Sequence, residues 1–426
     1  MPTQKSTKTW PTSSTSSAEP RPNAKKMTTF DSKAPLARLR PGVECFPWRS
    51  GPFEQALAYD HSAYAPQRSI LLSGAFHRFD LLDGRRSAAD LQALGHGSIA
   101  EVRAAVEQLD ANFMLDNAAA RRRRAEVEAE FNAAALRPAF HAGTAYPASA
   151  AELTNWLTDL LDDSSAAPVK PATAIIAPHI DLRIGAASYA PAYQSLRAAD
   201  PDLVLVAGTA HYHMDDYFMP SFKDFETPLG RLETARDLWD ELAARLPFDL
   251  CREERAHRVE HSIEFHLPFI QHVFRRRPPR ILPLLIGSSH EWVARRGVPA
   301  DSARFNEFID GLRAVLAESG LRVAYVASVD FAHFGRKFGD DFDAHTRFTD
   351  VRTADAALTD AIGAADERRF FQLVADVDDK WRICGLSPIY SLMRLMRPAA
   401  AELLDYQVWD ERERGSAVSY AALRLE

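Results

Sequence analysis

The sequence predicts an α/β fold, a doubly wound and mostly parallel sheet preceded by a small winged-helix-like α+β module. The larger domain is indicated by short runs rich in Val, Ile, Leu and Ala between residues 173 and 328, with helical patterns of apolar residues between them. Such alternation is typical of sheets covered by helices on both faces. The smaller module is indicated by an apolar run, a turn and two helical patterns between residues 69 and 115.

Composition limits the classes to which this chain can belong. Its 426 residues are 46% hydrophobic and 26% charged, enough to bury a large core in more than one domain. The 51 basic and 58 acidic residues give a net charge of -7, which excludes a broadly basic surface for nucleic acid or membranes. The cysteines are few and far apart, no apolar segment has the length of a membrane span, and no signal-peptide core follows Met1. We therefore expect a cytoplasmic protein.

The first segment, residues 1–34, is predicted to be a disordered tail. It is rich in Ser, Thr, Pro and Lys and has almost no aliphatic residues, so it cannot bury enough surface to fold. A transit peptide has a similar basic, serine-rich composition. The several prolines and the lack of an amphipathic face favour a plain tail.

Residues 35–117 are predicted to form the winged-helix-like module. The apolar run Ser69 to Phe76 indicates a strand, Asp83-Gly84 a turn, and Ser87 with Asp90 the start of a helix. A second helical pattern covers residues 98–111, and residues 113–115 are a candidate strand. The pattern resembles the peptide-binding winged-helix modules of some peptide-modifying enzymes. A structural cap on the larger domain is an equally consistent interpretation.

Residues 118–135 are predicted to be a linker helix. Four adjacent arginines, Arg121 to Arg124, suggest nucleic acid when taken alone. Three glutamates follow within two helical turns, at Glu126, Glu128 and Glu130. The mixed charge favours a solvated helix instead.

Residues 136–426 are predicted to form the α/β domain. The predicted strands are Thr173 to Ala177, Leu203 to Ala207, Arg280 to Ile286 and Val323 to Ser328. The predicted helices are Ala186 to Arg197, Thr234 to Leu246, His261 to Phe274 and Ala303 to Ser319. Two late runs, Glu402 to Val408 and Ser416 to Leu425, are joined across polar residues and a glycine. They predict an antiparallel addition at a sheet edge.

Metal-binding side chains follow the predicted strands. His179, His211, Asp330 and His333 each come shortly after a strand end, where the loops of a parallel sheet converge. Cys384 opens a predicted helix whose N-terminus would favour the thiolate. Imidazoles, a carboxylate and a thiolate together suit a first-row transition metal. Any one of these residues has an alternative: a loop histidine often only makes a hydrogen bond, and a single cysteine is often a small buried hydrophobe.

Three other histidines and a glutamate have less direct support from the sequence. His213 and His290 also follow strands, but nothing pairs either with a partner. The segment around His261 and Glu264 differs from the zinc-protease motif, which needs two histidines four residues apart with a glutamate beside the first. The carboxylate of Glu264 could orient His261 or act as a base. A structural hydrogen bond at the helix entry is equally consistent.

Seven short motifs between Arg137 and Pro388 together resemble the Memo family, which includes bacterial proteins called AmmeMemoRadiSam system protein B. In order they are Arg-Pro-Ala-Phe-His-Ala-Gly-Thr-Ala-Tyr-Pro, Ala-Ile-Ile-Ala-Pro-His, Gly-Thr-Ala-His, Phe-Glu-Thr-Pro-Leu, Glu-His-Ser-Ile-Glu-Phe-His-Leu-Pro, Ser-Val-Asp-Phe-Ala-His and Ile-Cys-Gly-x-x-Pro. The resemblance covers about residues 136–426 and not the first third. The chain departs from the family pattern at residues 180–182, where Ile-Asp-Leu replaces Ala-Gly-Tyr, and at Tyr212, where a second histidine is common.

The resemblance implies a fold like that of class III extradiol dioxygenases and a metal site. It implies His179, His211 and Cys384 as metal ligands, with Asp330 and His333 alongside. The implied metal is iron, with copper as an alternative and zinc less favoured. On this basis we assign His333, His261 and Glu264 as acid/base candidates. Asp330 either completes the ligand set or, as we favour, hydrogen-bonds a ligand.

Three function classes follow from the resemblance and the residues. The first is a metal-dependent redox or oxygenase-type enzyme with an unknown small-molecule or peptide substrate. The second is a non-catalytic peptide-binding or adaptor protein that uses the same cleft. The third is a zinc hydrolase, which the ligand types allow. The resemblance also suggests a radical-SAM protein and an AMMECR1-like protein as partners.

Overall fold

The computed structural model describes residues 30–50, 53–72, 76–162, 170–212, 215–252 and 254–426. It divides into two compact units, one ending at Ala133 and the other running from Ala134 to Glu426. Residues 1–29, which hold most of the predicted tail, lie outside the described residues, as does His213.

The first unit is a three-stranded antiparallel sheet followed by helices. Its elements are β1 (Val43–Ser50), β2 (Phe53–Asp60), β3 (Ser69–Leu72), α1 (Ala88–Ala93), α2 (Ile99–Ala111) and α3 (Ala118–Ala133). The sheet has the order β1-β2-β3. Ser87 and Ser98 each cap a helix reciprocally with the acidic residue three positions later, as the sequence predicts for Ser87.

The predicted arrangement of this unit is wrong in two respects. Residues 113–115 form no strand; Leu115 makes only an isolated bridge to Leu39. The two long strands β1 and β2, which the sequence analysis missed, come before the helices. Residues 118–133 are helical as predicted, and α3 packs within this unit, where the Tyr64 hydroxyl donates to Glu128 at 2.5 Å.

The second unit contains the larger sheet and its covering helices. Its strands are β4 (Leu136–Arg137), β5 (Ala174–Ala177), β6 (Leu203–Thr209), β7 (Phe218–Pro220), β8 (Asp224–Thr227), β9 (Gly230–Leu232), β10 (Arg280–Ile286), β11 (Val323–Ser328), β12 (His333–Gly335), β13 (Ala401–Glu411) and β14 (Ser416–Leu425). Its helices are α4 (Ala150–Leu161), α5 (Leu182–Leu196), α6 (Arg236–Arg245), α7 (His261–Glu264), α8 (Leu267–Val273), α9 (His290–Ala294), α10 (Ala303–Glu318), α11 (Phe348–Gly363), α12 (Glu367–Ala375) and α13 (Leu386–Met396). All four strands predicted for the sheet are confirmed.

The large sheet is mixed rather than mostly parallel. Its eight strands follow the order β12-β14-β5-β11-β6-β10-β7, with β13 paired to β14. The four central strands β5, β11, β6 and β10 are parallel, whereas β7, β12, β13 and β14 pair antiparallel to their neighbours. The predicted antiparallel addition is confirmed: β13 and β14 pair antiparallel, and β14 joins β5, the outer strand of the parallel set. Every residue of β14 is nevertheless buried, because β13 pairs with it along one side and β5 and β12 pair with it along the other.

Helices cover both faces of the sheet, and the strands alternate between the two cores. In β6, Leu203 and Leu205 point to the core that contains α6, α10, α11, α12 and α13. Val204 and Val206 point to the core that contains α4, α5 and α8. Successive side chains of a strand point to opposite faces of the sheet. Because both faces are buried here, the strand carries apolar residues on both of them.

The helix predicted from His261 to Phe274 is instead two helices, α7 and α8, separated at Phe265 and His266. Pro268 explains the break, since a proline lacks the N–H for the helical bond and its ring meets the carbonyl four residues earlier. Over the described ranges, no helix combines the length and apolar character needed to cross a bilayer.

Replacing Phe308 tests the packing of α10 on the sheet. The ring of Phe308 is fully buried and stacks on that of Phe218 in β7, with centroids 3.9 Å apart. We expect Phe308→Ala to lower the free energy of unfolding by about 3 to 5 kcal/mol, measured by urea denaturation. The control Leu403→Ala, at a side chain 45% exposed, should change stability little. A loss for Phe308→Ala below about 1 kcal/mol would contradict the packing argument.

Candidate metal centre

The register of three parallel strands brings the predicted residues to one level of the sheet. Ser328 in β11 lies opposite both Ala177 in β5 and Gly208 in β6. His179 and Asp330 therefore each lie two residues past a paired position, and His211 lies three residues past one. The donor atoms of His179, His211 and Cys384 all lie within 4.8 Å of one another.

His179 is held as a neutral imidazole with one nitrogen directed at the cluster. Its Nδ1 lies 3.0 Å from the Ser328 carbonyl oxygen, which can only accept, so Nδ1 carries the hydrogen. Its Nε2 lies 3.3 Å from the Cys384 sulfur. Burial, and after it the neighbouring His211 and His261, lower the pKa of His179 well below 6.5. A lone pair on Nε2 therefore faces the sulfur.

His211 is oriented by Glu260, a residue that the sequence analysis did not single out. The imidazole Nδ1 lies 2.9 Å from Glu260 Oε1, and the backbone N–H of His211 donates to Oε2 at 2.8 Å. Burial alone would lower the pKa of His211, but the Glu260 carboxylate outweighs it and raises the pKa. With Nδ1 held by a carboxylate, Nε2 is the nitrogen left for a metal ion, as in carboxylate–histidine–metal triads.

The cluster fits a first-row transition metal. Metal–nitrogen bonds near 2.05 Å and metal–sulfur bonds near 2.3 Å place a ligating nitrogen and sulfur about 3.1 to 3.6 Å apart for angles between 90° and tetrahedral. The observed Nε2 to Sγ distance is 3.3 Å. Two imidazole nitrogens and one sulfur also suit iron, copper or zinc. A bound ion would leave coordination positions open, since the cluster supplies three donors.

The expectation that a helix N-terminus lowers the pKa of Cys384 is wrong. Gly385 is the N-cap of α13, so Cys384 lies outside the first turn. Burial, and after it the nearby Asp330, raise the pKa of the thiol well above 9.0. A bound cation would oppose this shift, because a coordinating thiol is deprotonated by the charge of the metal.

Asp330 joins the loops that carry two of the candidate ligands. Its Oδ1 accepts the backbone N–H groups of His179 and Ile180, both at 3.1 Å. Its own N–H donates to the Cys384 sulfur at 3.3 Å, and its carbonyl accepts from Gly385 at 3.0 Å. Burial raises the pKa of Asp330 to about 7. Through Oδ1 this side chain organises the backbone around the cluster, and its Oδ2 lies 3.8 Å from His179 Nε2. Its role as a metal ligand or as a partner of one stays a prediction.

His333 and His261, two of the acid/base candidates, border the cluster. His333 lies beside His211 and Cys384 in the wall of a cavity of about 360 Å³. Its Nδ1 is bonded to the Phe331 carbonyl at 3.1 Å, and burial lowers its pKa to about 4. The His261 ring is centred 4.7 Å from that of His211 and 5.1 Å from that of His179.

Glu264, the third acid/base candidate, is a structural residue. Its Oε1 accepts from the His141 N–H at 2.7 Å and the Tyr146 hydroxyl at 2.5 Å. Its Oε2 accepts from the Phe140 N–H at 3.1 Å and pairs with the guanidinium of Arg137. Both oxygens are occupied and the carboxylate is fully buried. We therefore remove Glu264 from the acid/base candidates.

The loop that carries Cys384 has an unusual backbone. Asp378, Asp379 and Arg382 adopt left-handed conformations, with φ of 55°, 49° and 51°. Such residues persist only where their surroundings hold them, and they concentrate at functional sites. Here the Arg382 guanidinium pairs with Asp340 at 2.7 Å and donates to the His333 carbonyl at 3.2 Å. The periodicity of the sequence gives no signal for this loop.

Replacing Glu264 by glutamine tests its structural role. Burial would raise the pKa of Glu264, but Arg137 and the other donors outweigh it and lower the pKa below 4.5. Because the folded pKa is depressed, the stabilisation is complete above pH 4.5 and is lost as pH falls through the folded value. We expect Glu264→Gln to lower the free energy of unfolding by about 3 to 5 kcal/mol at neutral pH.

Urea denaturation across a pH series measures this effect. The difference in free energy of unfolding between the original protein and Glu264→Gln should disappear in acid. The control Glu291→Gln removes an exposed carboxylate that pairs with Arg295, and it should barely change stability at any pH. A gap that stays constant down to strong acid would contradict the assignment.

Comparison with known proteins agrees with the fold and the motifs. Residues 137–424 match the family described as Memo-like protein. A MEMO1 family protein of Aquifex aeolicus is 28% identical over 80% of this chain and 88% of its own length. One from Thermus thermophilus is 27% identical over 68% of this chain and 82% of its own, and a memo-1 homolog of Caenorhabditis elegans is 26% identical over 61% and 70%.

The Aquifex alignment covers more of the chain than residues 137–424 contain, so the similarity extends into the first unit, beyond the motifs found in the sequence. The family match itself spans most of the chain. This protein belongs to the Memo family.

Proposed function

We propose that this Memo-family protein holds a single non-haem metal ion through His179, His211 and Cys384 and acts as a metal-dependent redox or oxygenase-type enzyme. The proposed metal is iron, with copper as the alternative. One observation carries the proposal: three donors from distant parts of the chain converge, and both imidazoles have Nδ1 committed to an acceptor. The proposed likeness to class III extradiol dioxygenases supports the same class of chemistry.

The ion, when bound, would supply one-electron chemistry and Lewis acidity. The protein would supply the binding geometry and the proton transfers. His179 and His211 would ligate as neutral imidazoles, each through Nε2. Glu260 would keep His211 in that tautomer, because its carboxylate accepts the Nδ1 hydrogen.

Proton transfer is assigned to His333 and His261. The pKa of His333 lies at about 4, so its imidazole is neutral near pH 7. Its Nδ1 is held by the Phe331 carbonyl, which leaves Nε2 to accept a proton from a ligand in the cavity. His261 is held by Glu260 through Nδ1 at 3.1 Å in the same manner. In each ring Nε2 is therefore the nitrogen left to exchange a proton.

A hydrolytic function is less well supported than a redox one. A zinc hydrolase commonly needs a free carboxylate base near the metal. Glu260 accepts from three backbone N–H groups and from the ring of His211, and it also contacts the ring of His261. Glu264 has both oxygens occupied. Oxygen uptake by anaerobically iron-loaded protein separates an oxygenase from a hydrolase or a purely peptide-binding protein. That a radical-SAM protein and an AMMECR1-like protein are partners of this protein stays a prediction.

The ligand assignment is tested by replacing two of the three donors. We expect the double variant His179→Ala, Cys384→Ala to lose its iron and copper, because one imidazole cannot hold either ion tightly. The measurement is elemental analysis of protein purified without oxygen. The matched control replaces Cys251 and His345, which lie outside the cluster, and it should keep the metal of the original protein. Undiminished metal in the first variant defeats the assignment.

A separate prediction concerns Glu260. We expect Glu260→Gln to weaken metal affinity by about 10- to 100-fold, because an amide no longer fixes the His211 tautomer as a carboxylate does. Competition with a metal-binding dye measures the affinity. Glu264→Gln is the control: it removes a buried carboxylate from the same segment, yet the folded protein should keep its affinity. Equal losses in both variants would show that Glu260 acts only through stability.

A further inference from the structure

The cavity beside the metal cluster has mostly apolar walls. Its volume of about 360 Å³ lies at the small end of the range for ligand pockets. Val293, Phe338, Ile383 and Leu386 line it, and His211 and Cys384 contribute to its wall from the cluster. These walls suit a compact ligand with an apolar or aromatic body.

Of the two charged side chains in the described cavity wall other than histidines, one is paired and the other is not. Apart from the histidines, the charged residues among the described lining residues are Asp379 and Arg382. Arg382 is already neutralised, because its guanidinium makes two hydrogen bonds to the carboxylate of Asp340, at 2.7 and 3.1 Å. That pairing leaves Asp379 without an ion pair among the described residues of the wall, although His290, which also lines the cavity, acts on its charge from a distance.

Asp379 is held in place but has no cationic partner. Its Oδ1 accepts the backbone N–H of Ile383 at 2.8 Å. Within the described part of the chain, no lysine, arginine or histidine nitrogen lies within 4.0 Å of its carboxylate. Burial raises the pKa of Asp379, although the nearby His290 and Arg382 oppose the shift. The carboxylate is thus half-buried at the cavity without an ion pair, so it has acceptor capacity left for a donor on a ligand.

Asp379 lines the cavity, whereas the preceding residue, Asp378, faces the surface. Asp379 lies in the left-handed loop, and its neighbour Asp378, with the same conformation, pairs outward with Arg296 at 2.9 Å. Of two adjacent aspartates, one therefore has a partner on the surface and the other lines the cavity.

We propose that this cavity binds a compact ligand with an apolar or aromatic body and a protonated amino group, and that Asp379 pairs with the amine. The amine would supply the charge-assisted hydrogen bonds that Asp379 lacks. A carboxylate or phosphate in the same place would meet an uncompensated negative charge. This inference rests on the proposed function in one respect: the ligand would be the substrate of the metal centre. The pairing itself does not require the ion.

Three matched probes test the inference: 2-phenylethylamine, 2-phenylethanol and 3-phenylpropionate share an apolar ring and differ in the charge of the end group. Binding is measured by calorimetry on the full-length, metal-free protein at low salt, so that the charge of an ion does not contribute. We expect the amine to bind at least about tenfold more tightly than the carboxylate, with the alcohol between them. In Asp379→Asn the preference should fall to within about threefold.

Asp378→Asn is the matched control. Asparagine tolerates the left-handed conformation at both positions, so neither variant should disturb the loop. The control should keep the full preference for the amine. Binding of 3-phenylpropionate as tight as that of the amine, an unchanged preference in Asp379→Asn, or no binding of any probe would overturn the inference.

The same titrations on the His179→Ala, Cys384→Ala protein distinguish the two proposals. Retained amine preference together with undiminished metal would defeat the metal assignment and leave the amine site standing. Lost metal together with no amine preference in either protein would defeat the amine site and leave the metal assignment standing.

Discussion

The buried carboxylate of Glu260 is the constraint on which the centre depends. It is 2% exposed, and it accepts from the backbone N–H groups of His211, His261 and Ser262 and from the ring of His211. A buried charge is stable only when its oxygens are satisfied, and these bonds satisfy them. They also cap α7, a four-residue helix that would not be stable alone. One side chain thus fixes the end of β6, the start of α7 and two imidazoles.

The opposite side of the cluster is fixed by the pairing of strands. The parallel pairing of β5 with β11 places Ser328 where its carbonyl meets the ring of His179, and Asp330 where its carboxylate meets the backbone after β5. Cys384 then reaches the same point through contacts with the Asp330 backbone. His179 and Cys384 are thereby positioned by backbone groups, which a substitution elsewhere on the surface does not alter.

The parts of this structure that follow from local pattern could be predicted from the sequence. The apolar strands β5, β6, β10 and β11 are visible because both their faces are buried, and the residues after them were therefore placed at one rim. Long-range pairing was not visible: β14 lies inside the sheet because it pairs on both sides, and its composition does not reveal this. Pro268 did signal the break in the helix and was overlooked.

The sequence predicted which types of side chain form the site, but not which side chains contact one another. Glu260 and Glu264 are four residues apart on one segment, and the sequence analysis considered only Glu264 as a residue of the site. The difference between them is a matter of three-dimensional neighbours: Glu264 meets the guanidinium of Arg137, and Glu260 meets the ring of His211. The sequence does contain a signal for the position of Glu260: an acidic residue directly before His261 is a candidate helix cap.

The hydrogen bonds around the cluster also explain how the side chains of His179, His211 and Cys384 are held close together. The sulfur of Cys384 lies 3.3 Å from both His179 Nε2 and the Asp330 carbonyl oxygen, so the thiol proton has an acceptor. Each imidazole Nδ1 is bonded separately. The donors are thus satisfied in the neutral state. Under the proposed function, a metal ion would replace the thiol proton of Cys384, and metal content and stability would be separable measurements.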